Sequence, residues 1–491
     1  MNVEDNNLLI IMSDSLKIIS LNTTHISLLR NRRELRFKLS RVINHLLKDI
    51  ASLTRYHPDT SSRLCFLLGA REAIHLMLAV RDASKYKYLV LNVPDKEKGI
   101  DQVRKKISKD LDKQGYEFEL REELGNVITV TIRDRKSIVQ DPNSTEQLVN
   151  KYKLEEIKHR GLPQFILRRS ASINASMGAD IVSGDISSLP AVQRGDEVVL
   201  MDMYYNIVGH GIADMSSEEI KRSPGRIAAK TLEGRYDVPK FHDNKYYRNG
   251  LYSVTTLPRL LGINLFKFTE ERALILVICQ DNGETAVELL NRSGNNSKIF
   301  MITRNENHRK AITSSLERLQ IGEDQIELLK IGLDRYTKSR PREKFTHFYV
   351  EMPSTETGLR PNPYFDLEEK VIISNARAQF SALRGISLVG INHAQISYVT
   401  HSIDPSENQE VIIQAFRQGN FKPGKISEEL TKQYPLELNA LPEIPTVTQS
   451  SSIELVKFEQ EKVFIKSWLK VDPRIHDSDA GFVANLILEL R

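Results

Sequence analysis

Between residues 274 and 399, short apolar runs alternate with segments of helical periodicity, and few folds accept that pattern. The runs are 274–278, 298–302, 326–331, 345–350 and 395–399, with helical spacing over 285–290 and 306–319. Strands separated by helices cannot close as hairpins, so the pattern calls for an α/β fold with a mostly parallel, doubly wound sheet. In such sheets, sites form on the loops leaving the carboxyl ends of strands. Two of these loops stand out. The first reads Glu351-Met-Pro353-Ser354-Thr-Glu-Thr-Gly358-Leu-Arg360-Pro361. The second reads Tyr398-Val-Thr400-His401-Ser402-Ile-Asp-Pro405-Ser-Glu407-Asn408-Gln-Glu410.

Upstream of 246 the texture differs. A chain of 491 residues exceeds one ordinary core, so two to four domains are expected. Residues 1–84 read mostly helical. The basic run over 28–53, with Arg30, Arg32, Arg33, Arg36, Lys38, Arg41 and Lys48, is either a solvated helix face or an RNA-contact face. Residues 86–93 read as a strand. Residues 99–115 read as an amphipathic helix with Ile100, Val103, Ile107 and Leu111 on one face, and 116–121 and 126–133 as two further strands. This β-α-β-β run suggests a small ferredoxin-like or RRM-like α+β unit. It lacks the aromatic pair that an RRM sheet uses to stack bases, so it reads as scaffold. Polar, turn-rich residues 134–150 read as a linker. From about 153, short strands divided by Gly/Asp turns imply a compact barrel.

A net charge of +5 is a mild bias towards anionic partners. Cys65 and Cys279 are the only cysteines, which suits two free thiols in a reducing compartment, and no Cys/His cluster has zinc spacing. No apolar run approaches the ~20 residues of a membrane span. The N-terminus has no basic leader, so a cytoplasmic location is expected.

Two resemblances organise these pieces. Residues 160–240 resemble a PUA domain, an RNA-binding pseudo-barrel: the helix-Gly-Ala turn at Gly178-Ala179, the Gly-Asp-Glu-Val strand at 195–198, and the glycine-marked strand leading to Met-Ser-Ser-Glu-Glu-Ile at 215–220. The resemblance implies RNA contact near Gly178, Ala179 and Asp180, with Arg226 and Lys230 nearby; a turn glycine without a ligand is the alternative for Gly178. The two loops resemble those of Sun-type RNA cytosine-5 methyltransferases, which read D-x-P-C-S-x-x-G and Y-S-T-C-S-x-x-P-x-E-N-E. Residues 474–486 resemble that family's last strand, H-x-x-D-G-F-F-x-A. The expected organisation is therefore an N-terminal α+β domain over 1–150, a PUA domain over 155–243 and a Rossmann-like class I methyltransferase domain over 245–491. Residues 425–452, rich in Pro, Ser and Thr, read as an insertion.

The resemblance implies a demanding chemistry. C5 of cytosine is not nucleophilic, so a thiolate must first add to C6 and a second group must help release product. In the family both groups are cysteines, and the methyl donor is S-adenosylmethionine. Here Ser354 and His401 stand at the cysteine positions, and Glu351 at the target-binding acid. The family's donor loop, L-D-x-C-A-A-P-G-G-K-T, becomes 275–285, with Asp281, Asn282, Gly283, Glu284 and Thr285 at its end. The ribose acid aligns with Thr303, and Asp334 is either a match to a later acidic position or a surface loop aspartate. Arg360 is kept and joins the RNA-contact candidates. No catalytic residue and no cofactor are expected, and no metal. The expectation is an RNA-binding pseudo-methyltransferase whose partner is structured RNA (tRNA, rRNA or a ribosomal particle) or an active paralogue, with neither DNA nor membrane. The alternatives are an active methyltransferase using S-adenosylmethionine in an altered site, a Ser354–His401 couple, and an assembly protein acting through protein contacts.

Overall fold

The computed structural model describes residues 56–133, 161–430 and 467–490, apart from 82–84, 93–98, 124–126, 269–271, 361–368 and single or paired positions, together with residues 48, 50 and 51. Most of the basic run at 28–53, the linker at 134–150, Pro361 and most of 425–452 lie outside the described residues.

The first sheet begins with β1 (Lys85–Asn92), β2 (Phe118–Glu123) and β3 (Val127–Arg133), with the helix Gly99–Lys113 between β1 and β2. Val103, Ile107 and Leu111 recur at helical spacing and pack on Val90, Ile128, Val130 and Ile132. The barrel follows, built from β4 (Gln164–Leu167), β5 (Ile181–Val182), β6 (Ile186–Ser188), β7 (Glu197–Met201), β8 (Ile207–Ala213) and β9 (Ile227–Gly234). Its sheet order is β5-β9-β8-β7-β4-β6, around a core that includes Phe165, Leu200 and Val208. The Met-Ser-Ser-Glu-Glu stretch is a capping box. Ser216 accepts from the Glu219 amide at 3.4 Å while the Glu219 carboxylate accepts from the Ser216 amide at 2.8 Å.

The next strand, β10 (Tyr252–Thr255), corrects the expected division. It falls inside the span assigned to the C-terminal domain, yet it pairs antiparallel with β1, Leu89 opposite Thr255. The sheet order is β10-β1-β3-β2, all antiparallel, with the short helix Lys245–Arg248 before β10. This completes a ferredoxin-like unit, with the barrel inserted between its third and fourth strands. The sheet face turned away from the helix is not open. Leu89, Val127, Thr129 and Ser253 are buried on it, and Leu89 and Val127 share a core with Leu257, Leu260 and Leu261.

The large sheet contains β11 (Leu274–Ile278), β12 (Lys298–Ile302), β13 (Ile326–Leu329), β14 (Phe345–Val350), β15 (Gly390–Thr400), β16 (Phe421–Pro423), β17 (Trp468–Val471) and β18 (Gly481–Leu488). The order is β13-β12-β11-β14-β15-β18-β16. β11 to β15 pair in parallel, and β18 enters antiparallel to β15. The chain runs outward from β11 to β13 and then crosses back to β14, so the crevice between β11 and β14 is the switch point. β16 and β17 both pair antiparallel with β18 on successive stretches, 486–488 and 481–484. The chain thus leaves β18 at β16 and rejoins it at β17.

Candidate functional site at the central strand ends

Glu351 follows β14 directly, and its amide donates to the Ile278 carbonyl of β11 at 2.6 Å. Its carboxylate is buried, and a carboxylate stays ionised there only beside a cation. Arg259 supplies it, from the helix Leu257–Asn264 that packs Leu257, Leu260 and Leu261 into the core. Arg259 Nε donates to Glu351 Oε2 at 2.9 Å and Nη2 to Oε1 at 2.8 Å, a fork-to-fork pair. Its Nε also lies 3.9 Å from Asp281, at the end of β11. Arg259 therefore sits in the switch-point crevice and ties both strand ends together. Burial pushes the Glu351 carboxyl up, and Arg259 and His401 more than reverse this, leaving it at about 2.

His401 is also buried here, with Nδ1 3.4 Å from Glu351 and Nε2 2.7 Å from the Thr256 hydroxyl. Both ring nitrogens are thus engaged away from Ser354, so the couple weighed from sequence does not form. The half-buried Ser354 accepts instead from the Glu356 amide at 3.3 Å.

The loop after β11 closes on itself. Asp281 accepts from the amides of Gly283 at 2.9 Å and Thr285 at 3.1 Å and from the Thr285 hydroxyl, so it covers the start of the helix Glu284–Ser293. Gly283 takes φ +102° at the helix cap. The Asn282 amide donates to the Glu284 carboxylate at 3.0 Å, while the Asn282 side chain is exposed. Glu284 is buried, 3.2 Å from the Tyr247 hydroxyl and 3.7 Å from Arg318, and burial together with Asp281 raises its carboxyl. His308, from the next helix, reaches the Asp281 carbonyl at 2.8 Å. Thr303 is buried, and its hydroxyl donates to the Leu329 carbonyl at 3.0 Å. Asp334 is exposed and pairs with Lys338 at 2.8 Å, one helical turn away.

Neither cysteine stands on the two loops. Cys279 is buried at the end of β11, donates to Asp281 at 3.1 Å, and is raised well above the ordinary thiol range by burial and by Asp281. Cys65 lies on the helix Pro58–Leu68, raised to about 11 by burial.

The residues kept on the two loops are fasteners. The buried Glu407 accepts from the Thr355 amide at 2.9 Å and from its hydroxyl. Thr357 accepts from the Ile403 amide at 3.0 Å, and the Asn408 side chain donates to the Ser402 carbonyl at 2.9 Å. The Gly358 amide donates to the His401 carbonyl at 2.7 Å, and a Cβ there would stand 2.4 Å from the Ala480 carbonyl oxygen, so only glycine fits. Asp479 accepts from the Arg360 amide at 2.7 Å. The Arg360 guanidinium donates to the carbonyls of Ser478 at 2.9 Å and Pro473 at 3.3 Å, which makes it a clamp between loops rather than a surface contact. From the N-terminal helix, Arg63 donates to Asp404 at 2.9 Å.

In the barrel, Gly178 takes φ +82° and closes the turn after the helix Arg169–Ser176, its amide donating to Ala175 at 2.8 Å. Asp180 and the Ala179 carbonyl both bind Thr231. Arg226 and Lys230 are exposed on β9 or beside it, Lys230 lying 3.6 Å from Asp214. Gly178 lines a cleft of about 630 Å³ with Met177, Thr231, Gly234, Gln114 and Asn244. The cleft joins the barrel to the ferredoxin-like unit.

Sequence reasoning missed Arg259, Thr256 and His308. A usable signal for Arg259 was there: it is the one charge in the otherwise apolar stretch Leu-Pro-Arg-Leu-Leu-Gly-Ile. A lone charge on a buried helix needs a partner.

Comparison with known proteins agrees with this architecture. The PUA domain family model matches residues 163–234. A tRNA (cytosine(72)-C(5))-methyltransferase from Pyrococcus horikoshii is 22% identical over 265 residues, covering 52% of this chain and 65% of the relative, just under two thirds of its length. The crystal structure of NSun6 from Pyrococcus horikoshii with SFG superposes with a TM-score of 0.64 at 16% identity, covering 89% of this chain and all of that one. The fold is thus a class I methyltransferase fold with a PUA domain, and the sequence is similar to that of a Sun-type tRNA cytosine-5 methyltransferase.

Proposed function

We propose that this chain binds structured RNA, with tRNA as the first class to test, and does not methylate it. The observation that carries the reading is the crevice between β11 and β14, which holds Arg259 bound to Glu351 and beside Asp281. The missing thiols support it. Ser354 and His401 stand at the cysteine positions, and Cys65 and Cys279 are both pushed up, away from the thiolate form.

S-adenosylmethionine is the donor the resemblance implies, and the similar NSun6 structure is one with SFG. On this reading the residues do not fit that donor. Amides at the helix start are held by Asp281 and Glu284, and Thr303 offers a hydroxyl already bonded to Leu329 where a carboxylate is expected. Binding alone, or binding in company with an active paralogue or a ribosomal particle, is the function left.

The test is salt-dependent binding of the full chain to a folded tRNA transcript. Affinity that falls steeply with salt, without methyl transfer to the transcript, is the expected result. Absence of binding, or incorporation of labelled methyl groups, would overturn it.

A further inference from the structure

An RRM-like unit ordinarily meets RNA on its open sheet face. Here that face is buried against the large domain through Leu89, Val127, Thr129 and Ser253. Its helical side remains. On the helix Gly99–Lys113, Val103, Ile107 and Leu111 point inward, while Lys105, Lys109 and Lys113 form an exposed stripe at four-residue spacing, about 6 Å apart along the axis. Lys106 lies beside the stripe. Next to it, the helix Lys245–Arg248 presents exposed Lys245 and Arg248. The Tyr246 ring lies between the two helices, with the ammonium groups of Lys106 and Lys245 each 4.9 Å from its centroid.

Among the described residues, no carboxylate lies within ion-pair distance of Lys105, Lys106, Lys109, Lys113 or Lys245. The nearby acids are Asp101, Asp110 and Asp112. Asp110 is bonded to Asn244, and Asp112 to Ser108 at 3.5 Å. Arg104 is paired with Glu122 at 3.6 Å and does not join the stripe.

Position gives this surface its direction. Gln114, just past the end of the first helix, and Asn244, the N-cap of the second, both line the cleft that contains Gly178. The lysine stripe is therefore continuous with the face of the barrel where the PUA resemblance places RNA. We propose that the helical side of the ferredoxin-like unit is a second RNA-contact surface, in which Lys105, Lys109, Lys113 and Lys245 bind backbone phosphates of an RNA that is seated at the barrel cleft. The proposal rests on the RNA-binding reading above. It selects a phosphate backbone over bases, because ammonium groups on flexible stems hold charge without reading an edge.

The experiment compares the full chain with the Lys105→Glu, Lys109→Glu, Lys113→Glu triple variant. The three lysines face solvent, so an unchanged melting temperature is the control for folding. Binding to a labelled, folded tRNA transcript is followed by anisotropy over a salt series. The expected result is affinity about tenfold or more weaker near 0.1 M salt, with a log–log salt slope shallower by about 2 to 3. If the wild-type chain binds and the variant matches it in affinity and slope, the second surface is wrong and the RNA-binding reading stands. If the wild-type chain does not bind, both fall. Displacement of the RNA by polyglutamate as readily as by unlabelled RNA would mark the stripe as a general anion face and overturn the proposal.

Discussion

Arg259 is the residue on which the site turns. A buried carboxylate pair at two strand ends is costly, and a guanidinium between them offsets that cost by charge and by paired hydrogen bonds. The pair cross-links the helix Leu257–Asn264 to β14 where the fold family leaves room for ligands. Removing the cation alone leaves Glu351 buried and uncompensated. Arg259→Ala is expected to destabilise the chain by about 3–5 kcal/mol, and Arg259→Met with Glu351→Gln to recover most of that loss. Denaturant unfolding of the three proteins checks this; a single-variant cost below about 1 kcal/mol would show that the pair is solvated. The sequence could present Glu351 because it stands in a loop pattern. Arg259 stands far upstream on a helix, and only folding brings it to the loop.

At the scale of elements, Glu407 fastens the loop after β14 to the loop after β15. Burial raises its carboxyl from 4.5 to about 7, against the hydrogen bonds of Ser402 and Thr355 that favour the ionised form. The folded state therefore holds a proton that the unfolded state has released once the pH exceeds about 4.5. Stability from this group falls as pH rises from about 4.5 to about 7 and is flat above that. Glu407→Gln is expected to remove this slope and to raise stability at pH 8 relative to wild type. Melting temperature against pH for both proteins measures it, and parallel curves would count against the assignment. Elements of this kind were partly legible. Glu407, Asn408, Gly358 and Asp479 all stand within the recognisable motifs, and in the fold they hold the loops. Arg360 joins the RNA-contact candidates as a kept residue of the motif; its carbonyl partners lie in a segment more than a hundred residues away, where the sequence gives no sign of them.

For the whole molecule, the alternation of apolar runs and helices marks the parallel part of the large sheet, where β11 with β12, β12 with β13 and β14 with β15 are neighbours reached through one helix; the crossing back to β14 is a long-range pairing. The small sheet was harder. β10 joins β1 across the entire barrel, and a pairing at that separation leaves no local periodic trace. The split edge at β16 and β17 was hidden for the same reason: two short strands, each unremarkable alone, meet on β18. The whole chain is a methyltransferase fold that holds its loops in shape, with Arg259 in the crevice between β11 and β14, and the RNA contacts we propose fall on the barrel and on the helical side of the small unit. The most direct test is calorimetric titration of S-adenosylmethionine into the purified full chain. No saturable heat is expected, because Asp281 and Glu284 hold the helix-start amides and Arg259 bridges the two strand ends. Saturable, stoichiometric binding would contradict this and return the chain to the active methyltransferases, with the nucleophile still to be found.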